Sequence, residues 1–370
     1  MLKLFCSLLP LLIISTVSAQ PIIVDLQRSN VLLIGPASRG PENQATRIRS
    51  MEDFYGQFGP ALPGDLGKQN MAAAVKKVLE MKPDSLRVVR VSRTLESNLT
   101  PFLDSIKNLQ DVNLIAMPGM GNITVQIEVA RVAQKFANCL AIFDFSSGLD
   151  TAGMIAHKAQ VQNSNAAFFA PEFRELDEHG RVIREGIPAS EIVLSQIIQQ
   201  DRTKTPFKAP HFPIPTTLQP SVEYRFPARE QLPSFHHINL FLTDVVGKVG
   251  LTSFRTANTT NLEERYIPVV RLKNHLHKSI ERGTSWVIFE PNNEPLWQRI
   301  RTSINNYLLE VWRRGWLLGR SESEAFYVRA ALGQTMTNDD LLNERTRAGV
   351  GIAMLAPAEF STLAFLWKRR

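Results

Sequence analysis

VNLIAMPGMGNITVQIEVARVAQKFANCLAIFDF, residues 112–145, decides the fold class. Its first part, Val112–Pro118 (VNLIAMP), is apolar at nearly every position and ends at a Pro-Gly pair, which suits a strand covered on both faces. Thr124–Asn138 reads as a helix, and Cys139–Phe145 (CLAIFDF) is a second apolar run of strand length. Working outward, Asn30–Pro36 (NVLLIGP), Leu86–Ser92 (LRVVRVS) and Ala166–Pro171 (AAFFAP) repeat the strand signature. Helices are expected between them. Ser50 with Asp53 has capping-box spacing and opens a short helix through Phe54, Tyr55 and Phe58 that Gly59 stops. Others fall near Gln69–Met81, after Pro101 and over Thr151–Gln162. Short apolar strands alternating with helices argue for an α/β fold with a mostly parallel sheet.

From Thr205 to Pro233 the texture changes. Prolines at 206, 210, 213, 215, 220, 227 and 233 leave little room for regular structure, so this stretch reads as an extended excursion. Order returns with a helix over Glu263–Glu281, which tolerates Pro268 near its start and stops at Gly283. Thr284–Phe289 (TSWVIF) then reads as a central strand. Asn292-Asn293 and Pro295 start a long helix. Its apolar stripe is Leu296, Trp297, Ile300, Ile304, Tyr307, Leu308, Val311 and Trp312, closed by Gly315. Ala325–Ala331 is a further strand, Thr337 with Asp340 a second capping box, and strands Gly349–Leu355 and Glu359–Trp367 finish the chain.

At 370 residues the chain has room for two or three domains. Its 44% hydrophobic and 21% charged residues argue against disorder and against a polytopic membrane protein. A net charge of +7 suggests an acidic partner surface, but no RNA-binding signature, zinc-finger spacing or internal basic tract points to nucleic acid. The closing Lys368-Arg369-Arg370 is a short basic end. Only Cys6 and Cys139 are present, so neither a disulfide framework nor a Cys-rich metal site is expected. Lys3, the apolar run Leu4–Ile14 and Val17-Ser18-Ala19 before Gln20 have the layout of a secretory signal peptide. A misplaced start codon, or an apolar arm that packs on a neighbour, fits the same residues.

Catalytic signals are weak. There is no GxxxxGK[ST] loop, and Pro118-Gly119-Met120-Gly121 lacks the third glycine of a dinucleotide fingerprint. His236-His237 and the pair His275 and His277 have no carboxylate at ligand spacing, so no metal or cofactor is expected. Asp144, His157 and Ser285 follow the Asp-His-Ser chain order of subtilisin-like proteases, with Gly283-Thr284-Ser285 in the nucleophile's place. His157, however, lacks the glycine-rich context after such a histidine, and Ser285 is followed by Trp286. A secreted subtilisin-like serine hydrolase is therefore the alternative, separable by labelling Ser285→Ala with an activity-based serine probe.

Several separate stretches resemble the contractile tail sheath family of phages, pyocins and extracellular injection systems. Val31–Pro41 (VLLIGPASRGP) and Thr46–Gly59 (TRIRSMEDFYGQFG) are similar to its opening strand, Gly-Pro turn and FYGxFG helix. Ile187-Pro188-Ala189-Ser190, Asp201-Arg202, Lys208-Ala209-Pro210 and Arg255-Thr256 resemble its middle. The sharpest likeness is C-terminal: Ser279–Trp297 (SIERGTSWVIFEPNNEPLW), Trp312–Gly319, Glu324–Arg329 (EAFYVR) and Gly349–Phe360 (GVGIAMLAPAEF).

The resemblance implies a non-enzymatic, subtilisin-like α/β core plus a smaller C-terminal α/β sheath domain. The expected division is 1–19 signal-like, 20–90 arm and first strand and helix, 91–262 core with the excursion 205–233, and 263–370 C-terminal domain. It implies a homo-oligomeric lattice around an inner tail tube, joined to baseplate and terminator proteins, which contracts without ATP and binds no nucleic acid. Assembly would occur in the bacterial cytoplasm, on a virion or injection particle; the signal-like stretch leaves export open. Strand exchange between subunits would engage Gly349, Val350, Gly351, Ile352, Glu359 and Phe360. Arg299, Arg301, Arg313 and Arg314, on the outward face of the long helix, would meet an acidic tube. One departure weakens the lattice inference: the chain lacks the Pro-Gly-Val-Tyr-like arm with which family members generally begin. Cleavage after Ala19 would leave about ten residues ahead of the core, a short reach at roughly 3.3 Å per residue.

Overall fold

The computed structural model describes residues 22–60, 71–92, 99–109, 111–136, 138–210, 213–224, 237–244 and 246–369. The signal-like stretch, Gln69, His236, Arg370 and the prolines at 227 and 233 lie outside the described residues.

Eight strands form one large sheet. Six are parallel: β1 (Asn30–Gly35), β3 (Ser85–Arg90), β4 (Leu114–Ala116), β5 (Leu140–Asp144), β6 (Ala166–Ala170) and β10 (Ile238–Thr243). Antiparallel β2 (Ala45–Ile48) and β11 (Val249–Leu251) close its two edges, in the order β11-β10-β6-β5-β4-β1-β3-β2. Side chains alternate between the faces of a strand, so Val31, Leu33, Leu114, Leu140 and Ile142 enter one core layer and Leu32, Ile34, Ile115, Ala141 and Phe143 the other. Helices α1 (Met51–Phe58), α2 (Met71–Glu80) and α6 (Ala189–Asp201) cover the first layer. Helices α3 (Leu99–Ile106), α4 (Ile123–Lys135) and α5 (Thr151–Ala159) cover the second. Residues 30–90 thus supply the middle and one edge of the same sheet as residues 114–170. A small antiparallel sheet, β8 (Val182–Ile187), β7 (Phe173–Leu176) and β9 (Leu218–Pro220), projects after β6, and β9 lies within the proline-rich excursion.

The C-terminal part has its own core. Helices α7 (Ile267–Gly283) and α8 (Glu294–Arg313) pack against an antiparallel sheet of β12 (Phe326–Arg329), β13 (Arg345–Ala353) and β14 (Phe360–Lys368). Short helices α9 (Glu322–Ala325) and α10 (Asn338–Leu342) lie between its elements. The α8 stripe is buried as its periodicity predicts, apart from a half-buried Trp312. Asn293 caps the helix through Leu296 N at 3.1 Å, and Gly315 takes a left-handed φ of 75° beyond its end. Thr337 and Asp340 form a full capping box. At α1 only half the box forms: Ser50 accepts from Asp53 N, while the Asp53 carboxylate takes Arg49 N instead.

Thr284–Phe289 is not a strand. Thr284 folds back to donate both its N–H and its hydroxyl to Ile280 O, at 2.9 and 2.6 Å, and Ser285–Phe289 is a single 3-10 turn leading to α8. Of its apolar residues only Val287 is buried, and Phe289 is 78% exposed. Nor does Gly283 end the helix by conformation. It is the last helical residue, and a Cβ there would come within 2.8 Å of Ile23.

Candidate functional site

The features that could carry function are the sheet edges, the N-terminal strap and the outer face of α8. In the C-terminal sheet, β13 is central. Gly349 pairs with Arg329 on one side and Ala364 on the other, and Ile352 with Phe326 and Ser361. Gly349, Val350, Gly351 and Ile352 therefore have both backbone edges filled within their own chain and cannot take a further strand. Among the described residues no strand pairs along the outer side of β12 or of β14, and β14 pairs nine residues with β13 along its inner side. Phe360 opens β14 with its ring edge-on to Tyr327 at 5.0 Å, and Glu359 is exposed in the preceding turn. Gly351 has a packing reason: a Cβ there would overlap the Tyr327 ring. β14 buries Leu363, Phe365 and Trp367 and turns Thr362, Ala364, Leu366 and Lys368 outward.

Residues 22–29 form a strap that binds the C-terminal unit before the chain enters β1. Ile23 is buried against Gly283. Asp25 accepts from Tyr307 Oη at 2.7 Å, from His275 Nε2 at 3.2 Å and from Arg314. Burial pushes the Asp25 carboxyl up, but the bonds from His275, Tyr307 and Arg314 outweigh it and hold it well below the usual carboxylate range. Burial lowers the pKa of His275, with the Arg28 and Arg271 charges acting the same way and Asp25 offsetting part. Further along, Arg28 donates to Asp201 O at 3.1 Å, and Arg271 grips the Asp201 carboxylate at 2.7 and 2.9 Å. Asp201 ends α6 and Arg271 lies in α7, so this cluster fastens the large-sheet unit to the C-terminal unit through the strap. Sequence reading missed it, because nothing local pairs Asp25 with residues 250 and 282 positions away.

The three arginines of α8 and Arg314, which follows it, are engaged within the chain. Arg299 pairs with Glu290 at 3.1 Å and lies over the Trp286 ring. Arg301 pairs with Glu294 at 2.8 Å and donates to Ala330 O. Arg313 pairs with Glu310 at 3.0 Å, and Arg314 with Asp25. Only Arg313 and Arg314 are exposed.

Asp144, His157 and Ser285 are not brought together. Buried Asp144 accepts from Ser190 Oγ at 2.6 Å, Ser190 N at 2.8 Å and Gly119 N at 2.9 Å. It thereby caps α6, whose own N-cap, Pro188, has no side-chain donor or acceptor. Burial raises its pKa to about 6, against the pull of the Ser190 and Gly119 bonds. His157 bonds Gln126 Oε1 at 2.8 Å, while Gln126 Nε2 donates to Asp144 O. Ser285 is exposed on the turn between α7 and α8. Of the other histidines singled out in the sequence, His277 stacks on Phe365 at 4.8 Å. Among the described residues, no three His, Cys, Asp or Glu side chains are grouped to hold a metal ion.

The fold is similar to that of several solved structures. A chain of the PVC extracellular contractile injection system sheath complex in its contracted state superposes with a TM-score of 0.71, at 23% identity over 99% of this chain and 97% of that one. The helical sheath of the anti-feeding prophage in its contracted state gives 0.75, at 21% identity over 98% and 99%. A sheath tail protein from Listeria innocua gives 0.64 at 11% identity over 92% and 95%. No family sequence model matches the chain, and no curated protein matches it by sequence.

Proposed function

We propose that this chain is the structural subunit of a contractile sheath, which polymerises around an inner tube and shortens to drive it through a target envelope. The observation that carries this reading is the shared fold: sheath subunits of two injection systems match it at TM-scores of 0.71 and 0.75 over at least 97% of both chains. Adjacent parallel strands with helices on both faces form the core, which we read as a subtilisin-like scaffold without its activity. A neighbouring subunit's arm is proposed to add a strand to the outer edge of β14, where backbone bonds supply affinity and the outward side chains set register. Energy is stored in assembly rather than drawn from ATP; a gain of about a few kcal/mol per subunit accumulates over a long lattice.

Tube contact is assigned to Arg313 and Arg314, the exposed pair at the end of α8, against an acidic tube surface. Such contacts are screened over about 8 Å at physiological salt and are worth about 0–1 kcal/mol each, so grip depends on repetition. Baseplate and terminator proteins complete the particle. Overexpressed protein examined by negative-stain electron microscopy should contain hollow tubes or rings. Protein that stays monomeric at high concentration across a range of salts would overturn the reading.

A further inference from the structure

A small pocket of about 10 Å³ lies between the strap, α7 and the start of β5, and its lining includes Arg28, Asn113, Cys139, Phe207, Arg271 and His275. Two polar atoms of these residues are buried and have no hydrogen-bond partner: Arg28 Nε and His275 Nδ1. The His275 side chain is only 1% exposed, so bulk water does not satisfy its ring. Buried polar atoms in native folds are nearly always bonded, to protein or to an ordered water.

The chemistry of the two atoms identifies what fits. Arg28 Nε always carries a proton and can only donate. His275 Nε2 lies 3.2 Å from Asp25 Oδ1, and an ionised carboxylate can only accept, so Nε2 holds the ring proton. Burial holds the His275 pKa below that of a free imidazole, so the ring is neutral at neutral pH and Nδ1 is a bare lone pair. One unmatched donor and one unmatched acceptor call for a group that does both. A halide or another small anion only accepts, and it would face the Nδ1 lone pair. A pocket of this volume has room for about one water.

We propose that this pocket is a binding site for one structural water, which accepts a hydrogen bond from Arg28 Nε and donates one to His275 Nδ1. The strap then holds both nitrogens of a single buried ring, Asp25 directly and Arg28 through the water. The water is part of the joint between the N-terminal strap, the large sheet and the C-terminal unit. It also fixes His275 as the neutral tautomer with its proton on Nε2.

Two measurements on the full-length protein test this. In a crystal or cryo-EM map that resolves ordered waters, one water-sized peak is expected within hydrogen-bond reach of both atoms. A direct Arg28–His275 contact without a peak, or a peak that gains anomalous signal after a bromide soak, overturns the proposal. In nitrogen-15 histidine side-chain spectra, the ring signals lost in His275→Gln should show a protonated Nε2 and a bare Nδ1 at neutral pH. A proton on Nδ1 overturns it. Should His275→Gln fail to fold, Arg28→Met provides the second reading: a water cross-peak to the Arg28 Nε proton, present in the wild type and lost in the variant. Failure to find that cross-peak in the wild type counts against the site.

Discussion

Replacing Asp25 with Ala removes one acceptor from three donors at once. His275 and Tyr307 are buried, at 1% side-chain and 6% residue exposure, so each donor is left without solvent. An unmatched buried donor costs about 1–3 kcal/mol. Arg314 is 48% exposed, and its lost pair adds about 0–1 kcal/mol. Together these give a destabilisation of about 2–7 kcal/mol, centred between 4 and 5. Asp25→Asn retains one acceptor and should cost about half as much. Arg314→Met, which removes only the exposed partner, should cost under about 1 kcal/mol. Urea unfolding at neutral pH, followed by near-ultraviolet circular dichroism, measures all three against wild type. The pH dependence supplies a check of sign. Because the folded-state pKa of Asp25 is depressed, its contribution is present above the ordinary carboxylate value of 3.8 and is lost as pH falls below it. The gap between wild type and Asp25→Asn should therefore hold from pH 8 to about 4 and narrow in stronger acid. If Asp25→Ala unfolds at the same urea concentration as Arg314→Met, the strap is not an energetic joint and the reasoning fails.

Three further outcomes are expected. Asp144 has the opposite sign: its folded pKa of about 6 lies above 3.8, so the stability it contributes in acid is lost as pH rises through about 6. That amounts to about 3 kcal/mol, and Asp144→Asn should flatten this part of the stability profile; parallel profiles from pH 4 to 7 would contradict the assignment. Gly351→Ala forces its methyl into the Tyr327 ring and should destabilise by about 1–3 kcal/mol, relieved in the double variant with Tyr327→Ala. Equal losses with and without the tyrosine would rule that clash out. Arg313→Glu with Arg314→Glu should weaken co-assembly with the tube, most at low salt, where the contacts are least screened, with Arg314→Met reporting the strap's share. Unchanged tube binding would make α8 ordinary surface.

What the sequence made legible follows from locality. β1, β4, β5 and β6 announce themselves because strands buried on both faces must be apolar throughout, and the Leu296–Val311 stripe because one face of α8 is buried. The same rule misled at Thr284–Phe289, where a short apolar run is a half-exposed turn; length and composition do not separate the two. The hairpin of β7 and β8 was passed over, since Val182–Ile187 carries Arg184, Glu185 and exposed residues in place of an apolar run. The C-terminal strands were found, but not that β13 would be the central one, because pairing order is a tertiary property. The basic face of α8 looked unmatched for a similar reason: Glu290 and Asp25 reach Arg299 and Arg314 only once the chain is folded. Ser190 and Asp201 were noted as part of a familial string, without their partners Asp144 and Arg271.

A helical reconstruction of material assembled from the purified chain tests the central claim most directly. The account predicts a hollow tube built from this fold, with density for a neighbour's extended segment hydrogen-bonded along the outer side of Phe360–Lys368. A protein that forms no tubes, or tubes in which that edge of β14 faces solvent in every subunit, would contradict it.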